Sequence, residues 1–234
     1  MKLSIVIPAY NEEATIESII RRVQAVDLGA VEKEIIVVND GSQDGTERVL
    51  QGIPGIRRLA HERNSGKGAA LTTGFRAATG DIILIQDADL EYDPRDYAAV
   101  IQPIVEGRAD AVMGSRFILY KLKLFGKRRS PYFFHYLGNQ LITTVTNLLY
   151  GQRFTDYEGC YKAFRRPVVA ETPVLAVGFE FDNELMCKLL RKGARVTEVP
   201  IHYVPRTYES GKKITWRHGV VMLWTIIQWR VRPL

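Results

Sequence analysis

The chain has 234 residues, 46% of them hydrophobic and 25% charged, with 32 Lys and Arg against 26 Asp and Glu for a net charge of +6. That length fits one large domain, and the composition is that of a globular chain rather than a disordered or fibrous one. Two distant cysteines, Cys160 and Cys187, four scattered histidines and the lack of any run of ~20 apolar residues exclude a disulfide scaffold, a zinc cluster and a transmembrane helix.

The charge is unevenly spread. Residues 111–155 hold no Asp or Glu but carry Arg116, Lys121, Lys123, Lys127, Arg128, Arg129 and Arg153. Residues 210–234 also lack acids and carry Lys212, Lys213, Arg217, Arg230 and Arg232, which leaves the rest of the chain net acidic. Two basic segments on an acidic body suit an anionic lipid or a phosphorylated ligand. They do not suit nucleic acid, for which no recognition motif is present. The amino terminus starts directly with a strand pattern and the cysteines match no oxidised framework, so a cytoplasmic location is expected.

In chain order, residues 3–7 form a buried-strand run stopped by Pro8. Asn11 is positioned to cap a helix whose first turn holds Glu12 and Glu13, followed by Ile16, Ile19, Ile20, Val23 and Val26 at helical spacing. A second strand at 35–38 ends in Asn39, Asp40, Gly41 and Ser42, where Asp44 or Ser42 caps a short helix to Leu50. A weaker strand at 57–60 is followed by Asn64–Gly68 and an Ala-rich helix over 69–78. The apolar run 82–85 ends in Gln86-Asp87-Ala88-Asp89. Asp93 and Pro94 open a helix to about residue 105, and 109–113 is a fifth strand. After Arg116 the alternation stops: 117–131 reads as a basic, aromatic loop, 132–150 and 180–192 as helices, 195–199 as a late strand, and 216–232 as a Trp-rich tail with cationic ends. Alternating strands and helices imply a parallel sheet with right-handed crossovers.

Ligands bind beyond the carboxyl ends of such strands. Asp87 and Asp89, one residue apart after a buried strand, would point the same way if the segment stayed extended, and would meet one hard cation such as Mg²⁺ or Mn²⁺. Asp40 then serves a base or ribose and Lys67 supplies charge. Lys67 sits in no Walker A, because neither the preceding glycine nor the following Ser or Thr is in place.

IVIPAYNEE at 5–13, VVNDGSQDGT at 37–46, NSGKGAAL at 64–71, QDADLEYDP at 86–94, GSRF at 114–117, TDYEGCYKAFRR at 155–166, FEFDNEL at 179–185 and EVPIHYVPRTYESGKKITWRHG at 198–219 together resemble family 2 glycosyltransferases. The likeness is strongest to the dolichyl- or polyprenyl-phosphate mannose or glucose synthase branch. It implies a single GT-A domain, a mostly parallel sheet flanked by helices with a Rossmann-like nucleotide-binding half. Residues 1–115 would bind the nucleotide sugar, 116–215 the acceptor, and 216–234 would lie on a membrane surface. It also implies inverting transfer of a hexose from GDP-mannose or UDP-glucose to a polyprenyl phosphate, peripherally on the inner face of a membrane.

Carried over by residue, the resemblance makes Pro8, Tyr10, Glu12, Asp40, Lys67 and Asp87 contacts of the nucleotide sugar. Asp87, Asp89 and Glu91 become the metal set, with Glu91 standing where relatives often have Gln. Arg116, Arg129 (or its neighbour Arg128), Ser130 and Arg206 become contacts of the acceptor phosphate. Asp89, Arg116 and Asp156 are the catalytic candidates, Asp156 as a general base or as a positioning carboxylate. An ionised lipid phosphate needs no base. Two other functions remain open at this level: transfer to a saccharide or protein hydroxyl, for which Asp156 would be indispensable, and a non-catalytic nucleotide-sugar-binding protein, against which the intact Asp87/Asp89 pair argues.

Overall fold

The computed structural model describes residues 1–118, 133–204 and 216–234. Its elements in chain order are β1 (Lys2–Ala9), α1 (Ile16–Ala25), β2 (Glu32–Asn39), α2 (Thr46–Gln51), β3 (Arg57–Ala60), α3 (Lys67–Ala77), β4 (Ile82–Ile85), α4 (Tyr97–Val105), β5 (Ala111–Ser115), α5 (Phe133–Tyr150), β6 (Lys162–Arg165), α6 (Arg166–Ala170), α7 (Phe181–Arg191), β7 (Val196–Pro200) and α8 (Trp216–Val231). A 3-10 turn, Pro94–Asp96, precedes α4, and Asp93 caps it by accepting from the Arg95 amide at 3.0 Å.

Seven strands form one sheet in the order β3-β2-β1-β4-β6-β5-β7. β1 lies between β2 and β4, parallel to both, in a register that puts Ala9 opposite Asn39 and Val6 opposite Ile85. The carboxyl ends of these three strands therefore open onto one edge. β1, β2 and β4 read as continuous apolar runs because helices cover both faces. Leu3, Ile5, Val6, Ile7, Ile36, Val37, Val38 and Leu84 are buried, each contributing roughly 1.5–3 kcal/mol of transfer free energy. Gly74 lets α3 lie close on the sheet, since a Cβ there would strike the Val6 side chain.

Two sequence expectations change. Asn11 does not cap α1, which begins only at Ile16. Asn11 adopts φ 52°, and its side chain instead accepts from the Gln43 amide at 2.8 Å. Asn tolerates this left-handed conformation better than most residues. The second change is β6, which sequence reading missed. It runs antiparallel between β4 and β5, with Ile83 opposite Phe164 and Val112 opposite Ala163. Through it, residues 155–161 reach the same edge as the end of β4.

α5 and α8 pack together. Tyr150 Oη donates to the Ile226 carbonyl at 2.8 Å and Arg230 Nε to the Leu149 carbonyl at 2.7 Å. Trp229 is buried, whereas Trp224 is 62% exposed. Among the described residues no helix is long and apolar enough to cross a membrane.

Candidate active site

β4 ends at Ile85; the Gln86 amide still donates to the Val6 carbonyl at 3.0 Å, and residues 88–91 bend rather than continue extended. Asp87 and Asp89 are therefore presented by a turn, and the two-residue strand periodicity does not place them. A buried hub fixes that turn. Gln86 Oε1 accepts from Tyr97 Oη at 2.6 Å and from Tyr161 Oη at 2.8 Å, while its Nε2 donates to the Asp87 carbonyl at 2.9 Å. Asp87 Oδ1 lies 2.6 Å from Lys67 Nζ, the first residue of α3. Burial opposes charge on both partners. Lys67 nevertheless holds the Asp87 carboxyl below its ordinary range, and Asp87, with Asp182 nearby, raises the Lys67 ammonium. Asp89 Oδ1 accepts from the Glu91 amide at 3.1 Å.

At the β1–β2 edge, the loops after the two strands clasp each other. The Glu12 amide donates to Thr46 Oγ1 at 2.9 Å, the Asn11 amide to Ser42 Oγ at 3.0 Å, and the Gly45 amide to Glu13 Oε2 at 2.6 Å. Pro8 lies within β1, which runs on to Ala9, and Tyr10 and Glu12 follow it, all partly exposed. Asp40 is buried. Its oxygens accept from His61 Nδ1 at 2.7 Å and from the Ser65 and Gly66 amides at 2.9 and 2.8 Å. In this structure Asp40 shapes the loop that leads to Lys67.

Beside the turn after β4, the end of β5 and the 155–161 segment are joined by one ion pair. Asp156, with no exposed surface, accepts from Arg116 Nε at 2.6 Å and Nη2 at 2.8 Å, from the Arg116 amide at 3.0 Å, and from Asn139 Nδ2 at 3.1 Å. Four donors fill the lone-pair directions of a carboxylate. These bonds hold the Arg116 guanidinium in one orientation. Glu198 on β7 accepts from the Thr155 and Asp156 amides at 2.8 and 2.9 Å, and burial pushes its carboxyl up. The Arg116 guanidinium also lies over the rings of Tyr203, at 5.0 Å, and Phe117, at 5.4 Å. Tyr203 bridges to Tyr92, and the Val204 amide donates to the Glu91 carbonyl at 2.8 Å. Arg116 is therefore carried beside the 89–92 turn. Arg129, Ser130 and Arg206 lie outside the described residues.

Sequence reading assigned no role to a second polar cluster at the start of α7. Asn183 Nδ2 donates to Glu158 Oε1 at 2.7 Å, and Lys162 Nζ donates to the Gly159 carbonyl at 2.5 Å, with Asp182 at 3.7 Å. Burial pushes the Glu158 carboxyl up. Asp182 Oδ1 and Asn183 Oδ1 are buried without a hydrogen-bond partner. Two acceptors left so would take hydroxyl donors from a ligand or water.

Among the described residues no three His, Cys, Asp or Glu side chains are placed to hold a metal ion. Asp87, Asp89 and Glu91 are thus not a preformed cage. Mg²⁺ and Mn²⁺ need only one or two carboxylates when a diphosphate completes the shell. The oxygen donors of Asp89 and Asp87 fit that requirement.

Residues 4–172 match the sequence profile described as Glycosyl transferase family 2. The chain belongs to that family. This family 2 glycosyltransferase is 28% identical over 229 residues to the UDP-N-acetylglucosamine–dolichyl-phosphate N-acetylglucosaminyltransferase of Methanococcus voltae, across 89% of this chain and 88% of that one. It is 29% identical over 215 residues to glycosyltransferase AglD of Haloferax volcanii, spanning 88% of this chain but only 34% of AglD. Among solved structures, glucosyl-3-phosphoglycerate synthase from Mycobacterium tuberculosis, crystallised with Mn²⁺, uridine diphosphate and phosphoglyceric acid, superposes with a TM-score of 0.74 at 22% identity, over all of this chain and 80% of that one. That likeness establishes the fold as GT-A.

Proposed function

We propose that this family 2 glycosyltransferase moves a hexose from a nucleotide sugar to a polyprenyl phosphate at a membrane surface, with inversion at the anomeric carbon. The observation that carries the reading is the position of Arg116. Its guanidinium is held in a fixed fork by Asp156, beside the turn that bears Asp89, in a segment without acids. A rigid guanidinium matches phosphate oxygens. A lipid phosphate arrives already ionised, so an arginine to place it is needed and a free carboxylate base is not. The M. voltae relative, named for a dolichyl-phosphate acceptor and covered over 88% of its length, supports the same class.

On the donor side, Lys67 and the β1 and β2 loops would hold the nucleotide diphosphate, with Asp89 and Asp87 as metal ligands. A bound Mg²⁺ or Mn²⁺ supplies charge stabilisation for the departing diphosphate. The unpartnered oxygens of Asp182 and Asn183, beside Glu158, would accept from hydroxyls of the transferred sugar.

Membrane contact is proposed through the α5–α8 face. Leu137, Leu141 and Leu148 on α5 and Val220, Trp224, Ile227 and Val231 on α8 are exposed at helical spacing. Arg217, Arg230 and Arg232 lie on or next to α8. Apolar residues with flanking cations gain from insertion plus about 1 kcal/mol per cation near anionic lipid.

The test is incubation with labelled UDP- and GDP-hexoses and a short polyprenyl phosphate, following label into the lipid. Label that passes only to water, or to a soluble saccharide, overturns the reading.

A further inference from the structure

β2 hands the donor edge a single buried carboxylate, Asp40, whose amide donates to the Ala9 carbonyl at 2.8 Å. What holds its side chain is a residue with no role so far. His61 follows β3, and its own amide donates to the Asn39 carbonyl at 2.9 Å, extending the β2–β3 ladder by one bond. Its Nδ1 meets Asp40 Oδ1 at 2.7 Å, and its Nε2 meets Thr73 Oγ1 at 2.9 Å. A carboxylate accepts, so Nδ1 donates to Asp40, and the Thr73 hydroxyl, which can donate or accept, meets Nε2.

These bonds close a ring. Thr73 lies on α3, whose first residue is Lys67. Gly66 just before it donates its amide back to Asp40 Oδ2 at 2.8 Å. The ring runs Asp40, His61, Thr73, α3, Gly66, Asp40. Backbone packs against it from two sides: a Cβ at Gly41 would strike the Arg63 backbone, and one at Gly66 would strike the Val177 carbonyl. Lys67 leaves this ring directly to meet Asp87.

We propose that His61, braced by Thr73, is a positioning residue of the donor site. It fixes the Asp40 carboxylate and the start of α3, so that Asp40 and Lys67 are set for the nucleotide diphosphate before it binds. This rests on the donor assignment above. Its loss should appear in donor affinity rather than in turnover at saturation, because His61 reaches neither Arg116 nor Asp156.

The experiment is calorimetry of UDP and GDP with Mn²⁺ on the full chain, alongside steady-state kinetics with the corresponding nucleotide sugars. His61→Ala should weaken binding of the preferred diphosphate and raise donor KM together, by roughly ten-fold, the scale of one lost hydrogen bond to a charged group. kcat and acceptor KM should stay within about two-fold. His61→Asn, whose amide nitrogen falls near Nδ1, should recover most of the affinity. His61→Gln, which reaches toward Nε2 instead, should not. Thr73→Val, a nearly isosteric change that keeps the fold, should give a smaller loss in the same direction. Unchanged diphosphate affinity in both His61→Ala and Thr73→Val, a fall in kcat with donor KM unmoved, or equal recovery by Asn and Gln each overturns the proposal. A wild-type chain that binds neither diphosphate overturns the glycosyl-transfer reading, and this proposal with it. Wild-type binding with unaffected variants overturns this proposal alone.

Discussion

Asp156→Ala tests whether this carboxylate holds Arg116 for the proposed acceptor phosphate. The substitution removes a fully buried carboxylate and leaves the Arg116 guanidinium, whose side chain is only 15% exposed, without its counter-charge. Asn139 Nδ2 and the Arg116 amide lose their acceptor as well. Breaking a buried pair from one side costs about 3–5 kcal/mol. For a chain of this size about 2–4 °C of Tm is lost per kcal/mol, so calorimetric unfolding at pH 7 should fall by on the order of 10 °C. Arg116→Met, measured alone and with Asp156→Ala, completes a cycle. The double variant should be more stable than the two single losses added, because it leaves no charge stranded. Kinetics separate the two roles open to Asp156. An orienting carboxylate puts the loss of the near-isosteric Asp156→Asn mainly in acceptor KM, whereas a general base puts it in kcat and removes a limb of the pH–rate profile. A Tm within about 2 °C of wild type, too small for one broken buried pair, with additive effects in the cycle, would refute the argument.

Three further outcomes are expected. Asp89→Ala should keep its fold and lose most turnover, with EDTA silencing the wild type and Mn²⁺ restoring it; full activity in EDTA removes the metal role. Burial works against charge on Glu34, but hydrogen bonds from Ser4, Thr79 and Lys2 hold its carboxyl down at about 2. Its folded value lies below the unfolded one, so Glu34 stabilises the fold above pH ~4.5 and loses that contribution as pH falls toward 2. The Tm gap between wild type and Glu34→Gln should therefore be widest at neutral pH and close in acid, and a gap independent of pH would contradict it. Flotation with anionic vesicles should carry the chain up at low salt and less so at high salt; Trp224→Ser should weaken this, and unaltered flotation would move the contact away from α8.

The strands that carry the Asp40 and Asp87 loops were largely legible in the sequence. β1, β2 and β4 are apolar runs, and a parallel sheet puts their carboxyl ends, followed by Tyr10, Asp40 and Asp87, on one edge; Pro8 does not stop β1, which runs on to Ala9. The turn geometry at Asp87–Asp89 was not legible, because it is set by Gln86 and by tyrosines 11 and 75 residues away along the chain. β6 was hidden for a related reason. Lys162-Ala163-Phe164-Arg165 is short and begins and ends in charge, and Lys162 is tolerated at 2% exposure only because the Gly159 carbonyl and Asp182 receive it. Arg116 and Asp156 were each singled out, but their separation by 40 positions along the chain concealed that they satisfy one another. His61 gave no signal at all, since a lone histidine after a weak strand carries meaning only once Asp40 and Thr73 are seen on either side of it.

Transfer to a lipid phosphate is tested by letting acceptors compete for the sugar. Wild-type protein, Mn²⁺, a labelled nucleotide sugar from the UDP and GDP hexose panel, a short polyprenyl phosphate and a pool of free saccharides are combined, and the label is partitioned between organic and aqueous phases. The account predicts label in the organic phase as a glycosyl phosphate lipid of inverted anomeric configuration, with Arg116→Ala losing it through a raised KM for the lipid. Label in the saccharide pool, with the polyprenyl phosphate left unmodified, would contradict it.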